Sequence, residues 1–272
     1  MVVVQPMKEI NGFTILSSLY SDMYLDIFKA TSQDGRHVLL KVLRDVSQLP
    51  ALESRFHRDF NLRNSLDLDS VLKVESIAYL HKKLVMVMED AHALPLDSAL
   101  NTNGFAMGEL LTIAIGMALC IKDVHLSNII HSDIKPANYM FNPDTKQLKL
   151  TNFGMAITPY NSYSIDHAIT TEGTLAYISP EKTGRLKKNV DFRSDYYSLG
   201  VSLYQMFSGR LPFECSDAIA MVHSHIARIP EPPNMANDEI PLPVAQMLLS
   251  TLPAQAAPLL PTILKCWMMV LF

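Results

Sequence analysis

The densest run of side chains able to do chemistry is His131-Ser132-Asp133-Ile134-Lys135-Pro136-Ala137-Asn138. It offers an imidazole, a carboxylate, an ammonium and an amide. Such groups can take a proton, balance an anion and present an oxygen to a cation. For the cluster alone, a polar turn after a buried helix is the plain alternative. Three segments follow it in order. Asn152-Phe153-Gly154 begins nineteen residues after Asp133, Gly173–Glu181 reads GTLAYISPE, and Asp191–Gly200 reads DFRSDYYSLG. Far upstream, Lys41 follows the run His37-Val38-Leu39-Leu40. A solvated strand lysine is the alternative there.

These residues need elements to hold them. Phe13–Leu19, Tyr24–Thr31, His37–Leu43, Val71–Tyr79 and Leu84–Met88 read as strands. Gln33-Asp34-Gly35-Arg36 is a hairpin turn between the second and third. Pro50–Leu66 reads as a lone amphipathic helix, with Leu52, Phe56, Phe60 and Leu62 at three- and four-residue steps. After Asp90 the pattern becomes helical. Met107–Val124 is apolar nearly all round, as a buried helix is. Ser194–Phe207, with Ser194 and Asp195 as N-cap candidates and Ser208-Gly209 at its end, is a second helix, and Asp217–Ile229 a third.

Composition excludes some classes. The 272 residues are 49% hydrophobic and 18% charged, which rules out a disordered chain. The net charge of −4 argues against a nucleic-acid binder. Cys120, Cys215 and Cys266 form no CxxC pair, which fits a reduced, cytoplasmic setting. His223 and His225 lack Cys or carboxylate neighbours at ligand spacing and read as ordinary helix residues. The first ten residues have no basic region, so a secretory signal is not expected. Ala254–Phe272 is an apolar tail interrupted by Pro258 and Pro261. It reads as a packed end or an out-of-place terminus, with a membrane anchor as the less favoured reading.

Taken in order, the four motifs resemble the protein kinase superfamily, Ser/Thr type, over about residues 12–250. The phrases EGTLAYISPEKTGR, DYYSLGVSLY and LPFECSDAIAMVHSHIA look like the N-terminal kinase-like domains of large bacterial signalling proteins. In those, an ATPase-like module, a GAF domain and a sensor histidine kinase follow. The resemblance implies an α+β, two-lobed fold, a small antiparallel sheet lobe with one helix and a larger, mainly helical lobe. It divides the chain into 1–90, 91–250 and a divergent apolar tail, 251–272. Its implied ligands are ATP and Mg²⁺, with Mn²⁺ as the alternative metal, and its implied partners are a protein substrate and downstream signalling modules or a histidine kinase.

The resemblance also implies roles. Asp133 would be the base for the substrate hydroxyl, Lys135 would neutralise the moving phosphoryl group, and Lys41 would face the α- and β-phosphates. Asn138 and Asn152 would be the metal ligands. Leu19, Ile27 and Leu39 would roof the adenine pocket and Met140 would floor it. Met88 would stand at the back, with Glu89 and Asp90 starting the hinge. All these apolar residues serve equally well as plain core. Asp59 is the better candidate partner for Lys41, with a solvated helix charge as its alternative. It is one methylene shorter than the usual Glu, so a long or lost ion pair is expected. Glu53 is the other candidate, about 120° round the helix. Asp195 would brace the catalytic-loop backbone. Glu181 usually pairs with a late arginine, and none follows Arg228. An incomplete or unstable end to the helical lobe is therefore expected.

Three departures bear on catalysis. Asn152 stands where the family has the aspartate that binds metal, a loss worth about 3 kcal/mol or roughly a hundredfold. Tyr20–Asp26 holds no glycine where phosphates are usually cradled, so backbone amides could cap them only from further away. Ser132 replaces an arginine that would dock a phosphorylated loop, so Thr158, Ser162, Ser164, Thr170 and Thr171 need not form a switch. A weakened Ser/Thr kinase is the leading reading. A pseudokinase that holds ATP or a partner is the second. A small-molecule kinase is the third, disfavoured by the SPE and DYYSLG segments.

Overall fold

The computed structural model describes residues 9–10, 12–44, 50–80, 83–102, 104–158, 175–186 and 189–252. The apolar tail and most of the Ser/Thr-rich loop lie outside the described residues. The chain divides into two units, Met1–Pro95 with Met140–Met155, and Leu96–Tyr139 with Ala156–Phe272.

The first unit is built on a six-stranded antiparallel sheet in the order β1-β2-β3-β4-β6-β5. Its strands are β1 (Glu9–Ile10), β2 (Phe13–Ser21), β3 (Leu25–Thr31), β4 (His37–Leu43), β5 (Val74–Leu80) and β6 (Lys83–Glu89). The hairpin after β3 turns through Gly35 at φ +85°, the left-handed region a glycine enters without strain. Strand β4 is apolar on both faces because both are covered. Val38, Leu40 and Val42 join Ile10, Ala30, Val85 and Val87. Leu39 and Leu43 join Phe56 of helix α1 (Pro50–Ser65), with Leu72, Leu84, Met86, Met88 and Met140. Side chains alternate along a strand, so Lys41 falls in the Leu39/Leu43 register, on the α1 side. Its ammonium lies 5.4 Å from the Phe56 ring centroid.

The strand expected from Val71 begins instead at Val74. Leu72 donates its backbone N–H to Leu150, and Leu150 donates to Ser70. These bonds tie β9 (Leu148–Leu150) to the first unit, and β9 forms a small second sheet with β7 (Leu94–Pro95) and β8 (Tyr139–Phe141).

In the second unit, α2 (Leu96–Thr102) is followed by α3 (Met107–Leu126), which buries Leu110, Ile113, Ala114, Met117, Ile121 and Val124. Helix α4 (Phe192–Ser208) ends on Gly209 at φ +75°. Its N-cap is Asp191, not Ser194 or Asp195: the Asp191 carboxylate accepts from the Arg193 amide. Ser194 and Asp195 are buried in the first turn. Helices α5 (Ala218–Ala227) and α6 (Leu242–Thr251) follow. Gly200 lets α6 approach α4, since a β-carbon there would lie 2.1 Å from Thr251 Oγ1. Among the described residues no helix is long and apolar enough to cross a membrane.

His225 of α5 is buried and its Nδ1 lies 2.8 Å from the Tyr197 hydroxyl. Burial pushes its imidazole pKa from 6.5 down to about 4. The unfolded chain therefore binds a proton that the folded chain refuses between those values. Stability from this residue is full above pH 6.5 and is lost as pH falls towards 4, by up to about 3 kcal/mol. Urea melts of wild type and His225→Phe from pH 7 to 4 should show a shallower decline in the variant. Parallel declines would refute this.

Candidate functional site

In the first unit the chemistry gathers around Lys41. Its ammonium donates to Asp59 Oδ2 at 2.8 Å and to Asn152 Oδ1 at 3.1 Å. The short arm of Asp59 does not lengthen or lose the ion pair. Asp59 is fully buried and also accepts from the Phe153 amide at 2.8 Å. Burial alone would raise its pKa, but the charges of Arg63 and Lys41 hold it well below the usual carboxylate range. Glu53, the other candidate, accepts from the Tyr79 hydroxyl.

Arg63, one helical turn beyond Asp59, escaped the sequence reading. Its Nε donates to Asp59 Oδ1 at 2.7 Å and an Nη to Oδ2 at 3.0 Å. The i,i+4 spacing was visible in sequence, but such pairs normally sit on a solvated face.

Asn152 has φ +69°, a region asparagine tolerates better than most side chains. The next residue, Phe153, is fully buried, and Gly154 lies so close to α1 that a β-carbon would meet the Arg55 carbonyl at 2.9 Å. The neighbouring apolar residues share the Lys41 face. Ile27 is the cross-strand partner of Lys41, and Leu39 is that of Met88. Leu39, Met88 and Met140 belong to one core cluster, with Leu19 packed against it. The Glu89 carboxylate accepts from Lys149 and from the Lys73 amide, both at 2.7 Å.

The glycine-free turn after β2 closes on its own aspartate. Asp22 Oδ1 accepts from the amides of Tyr24 and Leu25, both at 2.7 Å. Those two N–H groups are therefore engaged by a carboxylate.

In the second unit Asp195 organises the loop that carries Asp133. Its carboxylate accepts from the amides of His131 and Ser132, both at 2.8 Å, and lies 2.8 Å from His125 Nε2. Burial would raise its pKa, but the hydrogen bond and charge of His125 lower it. Ser132 sits at φ +67°, a strained backbone that these bonds hold in place. Asn138 Nδ2 donates to the Asp133 carbonyl at 2.6 Å and to its Oδ2 at 2.8 Å, and the Lys135 ammonium stands 3.3 Å from Oδ2. Asp133 is buried, which raises its pKa, yet Lys135, His131, Asn138 and Lys182 bring it below the ordinary value. It is a carboxylate at neutral pH.

His125 and Lys182 were also missed. Lys182 donates to the Ser132 carbonyl, so a cation does reach the turn from which the arginine is absent. Glu181 accepts from the Ser194 hydroxyl.

Comparison with known proteins decides the family. A family model described as "Protein kinase domain" matches residues 24–265. The chain belongs to the protein kinase family. It is 31% identical over 226 residues to a probable serine/threonine-protein kinase of Corynebacterium efficiens, covering 80% of this chain and 34% of that one. It is 29% identical over 223 residues to the serine/threonine-protein kinase PknB of Mycobacterium leprae, covering 80% and 35%. With PrkC of Bacillus subtilis, also a serine/threonine-protein kinase, it shares 29% over 217 residues, covering 79% and 33%. The kinase domain thus spans about a third of the length of these curated relatives. Family membership implies ATP, a divalent metal and a protein substrate. The Lys41 cluster does not suit the metal as it stands. The amide oxygen of Asn152 that would ligate it accepts from an ammonium, and it carries no charge.

Proposed function

We propose that this kinase domain transfers the γ-phosphoryl group of ATP to a serine or threonine hydroxyl of a protein, at a rate lowered by Asn152. The observation that carries the reading is the Lys41–Asp59 ion pair at 2.8 Å. It fixes an ammonium where the family holds the α- and β-phosphates. Leu19, Ile27, Leu39, Met88 and Met140 supply an apolar surface for the base, with Glu89 at the end of β6. Asp133, ionised and oriented by Asn138, accepts the proton of the attacking hydroxyl. The new O–P bond forms as the bond to the ADP oxygen breaks. Lys135 balances charge on the moving group. Asn152, neutral and facing an ammonium, offers Mg²⁺ or Mn²⁺ only a weak ligand, and this is what lowers the rate.

The segments quoted from 172–185, 195–204 and 211–227 support a place at the head of a cytoplasmic, multidomain signalling protein, with ATPase-like, GAF and histidine kinase modules as its partners. A pseudokinase reading is favoured by Asn152 and by the Asp22 carboxylate holding the turn amides. Radiolabelled phosphotransfer with Mg²⁺ and then Mn²⁺ separates the two. Asn152→Asp should raise a measurable wild-type rate by about ten- to a hundredfold. An inert wild type with an active variant would establish the pseudokinase. If both are inert, the transfer reading fails.

A further inference from the structure

Arg63 takes no part in the transfer just described, yet a fully buried guanidinium is costly unless balanced. Beyond its two bonds to Asp59, it donates to the Leu72 carbonyl at 3.1 Å and lies 3.0 Å from the Met86 sulfur. One carboxylate therefore serves two cations, Lys41 and Arg63. Asn152, the other partner of Lys41, is neutral. Lys41, Arg63, Asp59 and Asn152 sum to +1. Among the described residues no second carboxylate is hydrogen-bonded to Lys41 or Arg63. An ammonium has three protons to donate, and two of those on Lys41 point to Asp59 and Asn152. Among the described residues no third side-chain acceptor is hydrogen-bonded to Lys41.

Resting on the ATP-binding reading above, we propose that the Lys41–Asp59–Arg63 cluster takes the nucleoside triphosphate as a free anion, with an affinity that does not depend on a divalent metal. The excess positive charge does at the phosphates what a metal would otherwise do. The Asn152 oxygen, facing an ammonium, is poorly placed to recruit that metal. Arg63 acts through Asp59: by sharing its negative charge, it leaves Lys41 incompletely neutralised. It is a positioning and charge-setting residue, with no contact to the reacting atoms required.

The test is calorimetric titration of the full chain with ATP, in EDTA and in excess Mg²⁺. Wild type should give dissociation constants within about threefold of each other. Arg63→Met should weaken binding in EDTA by about tenfold or more while binding in Mg²⁺ changes little, and Arg63→Lys should keep the wild-type pattern. Asn152→Asp, which removes the excess charge without touching Arg63, should make binding metal-dependent by a similar factor. A wild type that binds at least tenfold tighter with Mg²⁺ than in EDTA overturns the proposal and leaves the ATP reading intact. So does a folded Arg63→Met, or an Asn152→Asp, that keeps the wild-type constant in EDTA. No binding in either buffer would overturn the ATP reading itself.

Discussion

Asp59→Ala should destabilise the fold by about 3–5 kcal/mol, the usual penalty for breaking a buried ion pair from one side. The loss comes less from the missing contacts than from what remains. Arg63 and Lys41 would both be left enclosed, without the carboxylate each contacts within 3.0 Å. A denaturant melt reads the effect. The double variant Asp59→Ala/Arg63→Met should recover a large part of it, because the stranded guanidinium is gone. A single variant that loses less than about 1 kcal/mol, or a double variant no better than the single, would show that the charges are not held as described. Because the folded pKa of Asp59 lies below its unfolded value, its contribution is complete above the ordinary carboxylate range. It disappears as pH falls through the folded value.

Asp133→Asn should lower the phosphotransfer rate by about 10²- to 10⁴-fold, the usual contribution of a positioned general base. The amide preserves the shape of the side chain but cannot take the hydroxyl proton. ATP affinity should stay within about twofold, since Lys41 and its neighbours lie in the other unit of the chain. The comparison therefore pairs single-turnover transfer with nucleotide titration. A variant retaining more than a third of the wild-type rate would remove Asp133 from the role of base.

Much of this organisation was legible because it is local. Lys41 was legible from its place in the strand after His37–Leu40, and Asn138 lies only five positions after the Asp133 that it orients. What stayed hidden depends on chain segments that meet only after folding. His125 and Asp195 are 70 residues apart, Lys182 and Ser132 are 50 apart, and Phe153 and Asp59 are 94 apart. Arg63 was hidden differently. A charged helix residue four positions from an acid reads as solvated surface, and only the packing of Leu72, Met86 and Met88 around it shows otherwise. The cap of α4 was misplaced because Asp191, Ser194 and Asp195 are all capping types. The sequence offered Ser194 and Asp195, but the carboxylate of Asp195 is taken by the backbone of the loop around Asp133, and Asp191 caps the helix.

Gly154 and Asp59 together have a pharmacological corollary. Inhibitors that prise the lone helix outward to open extra room must separate Asp59 from both the strand lysine and the Phe153 amide. They must also part Gly154 from the Arg55 carbonyl, against which it is seated with no space for a methyl group. Compounds of that type should find this target resistant, whereas those that leave the helix seated and pack against Leu39, Met88 and Met140 meet no such latch.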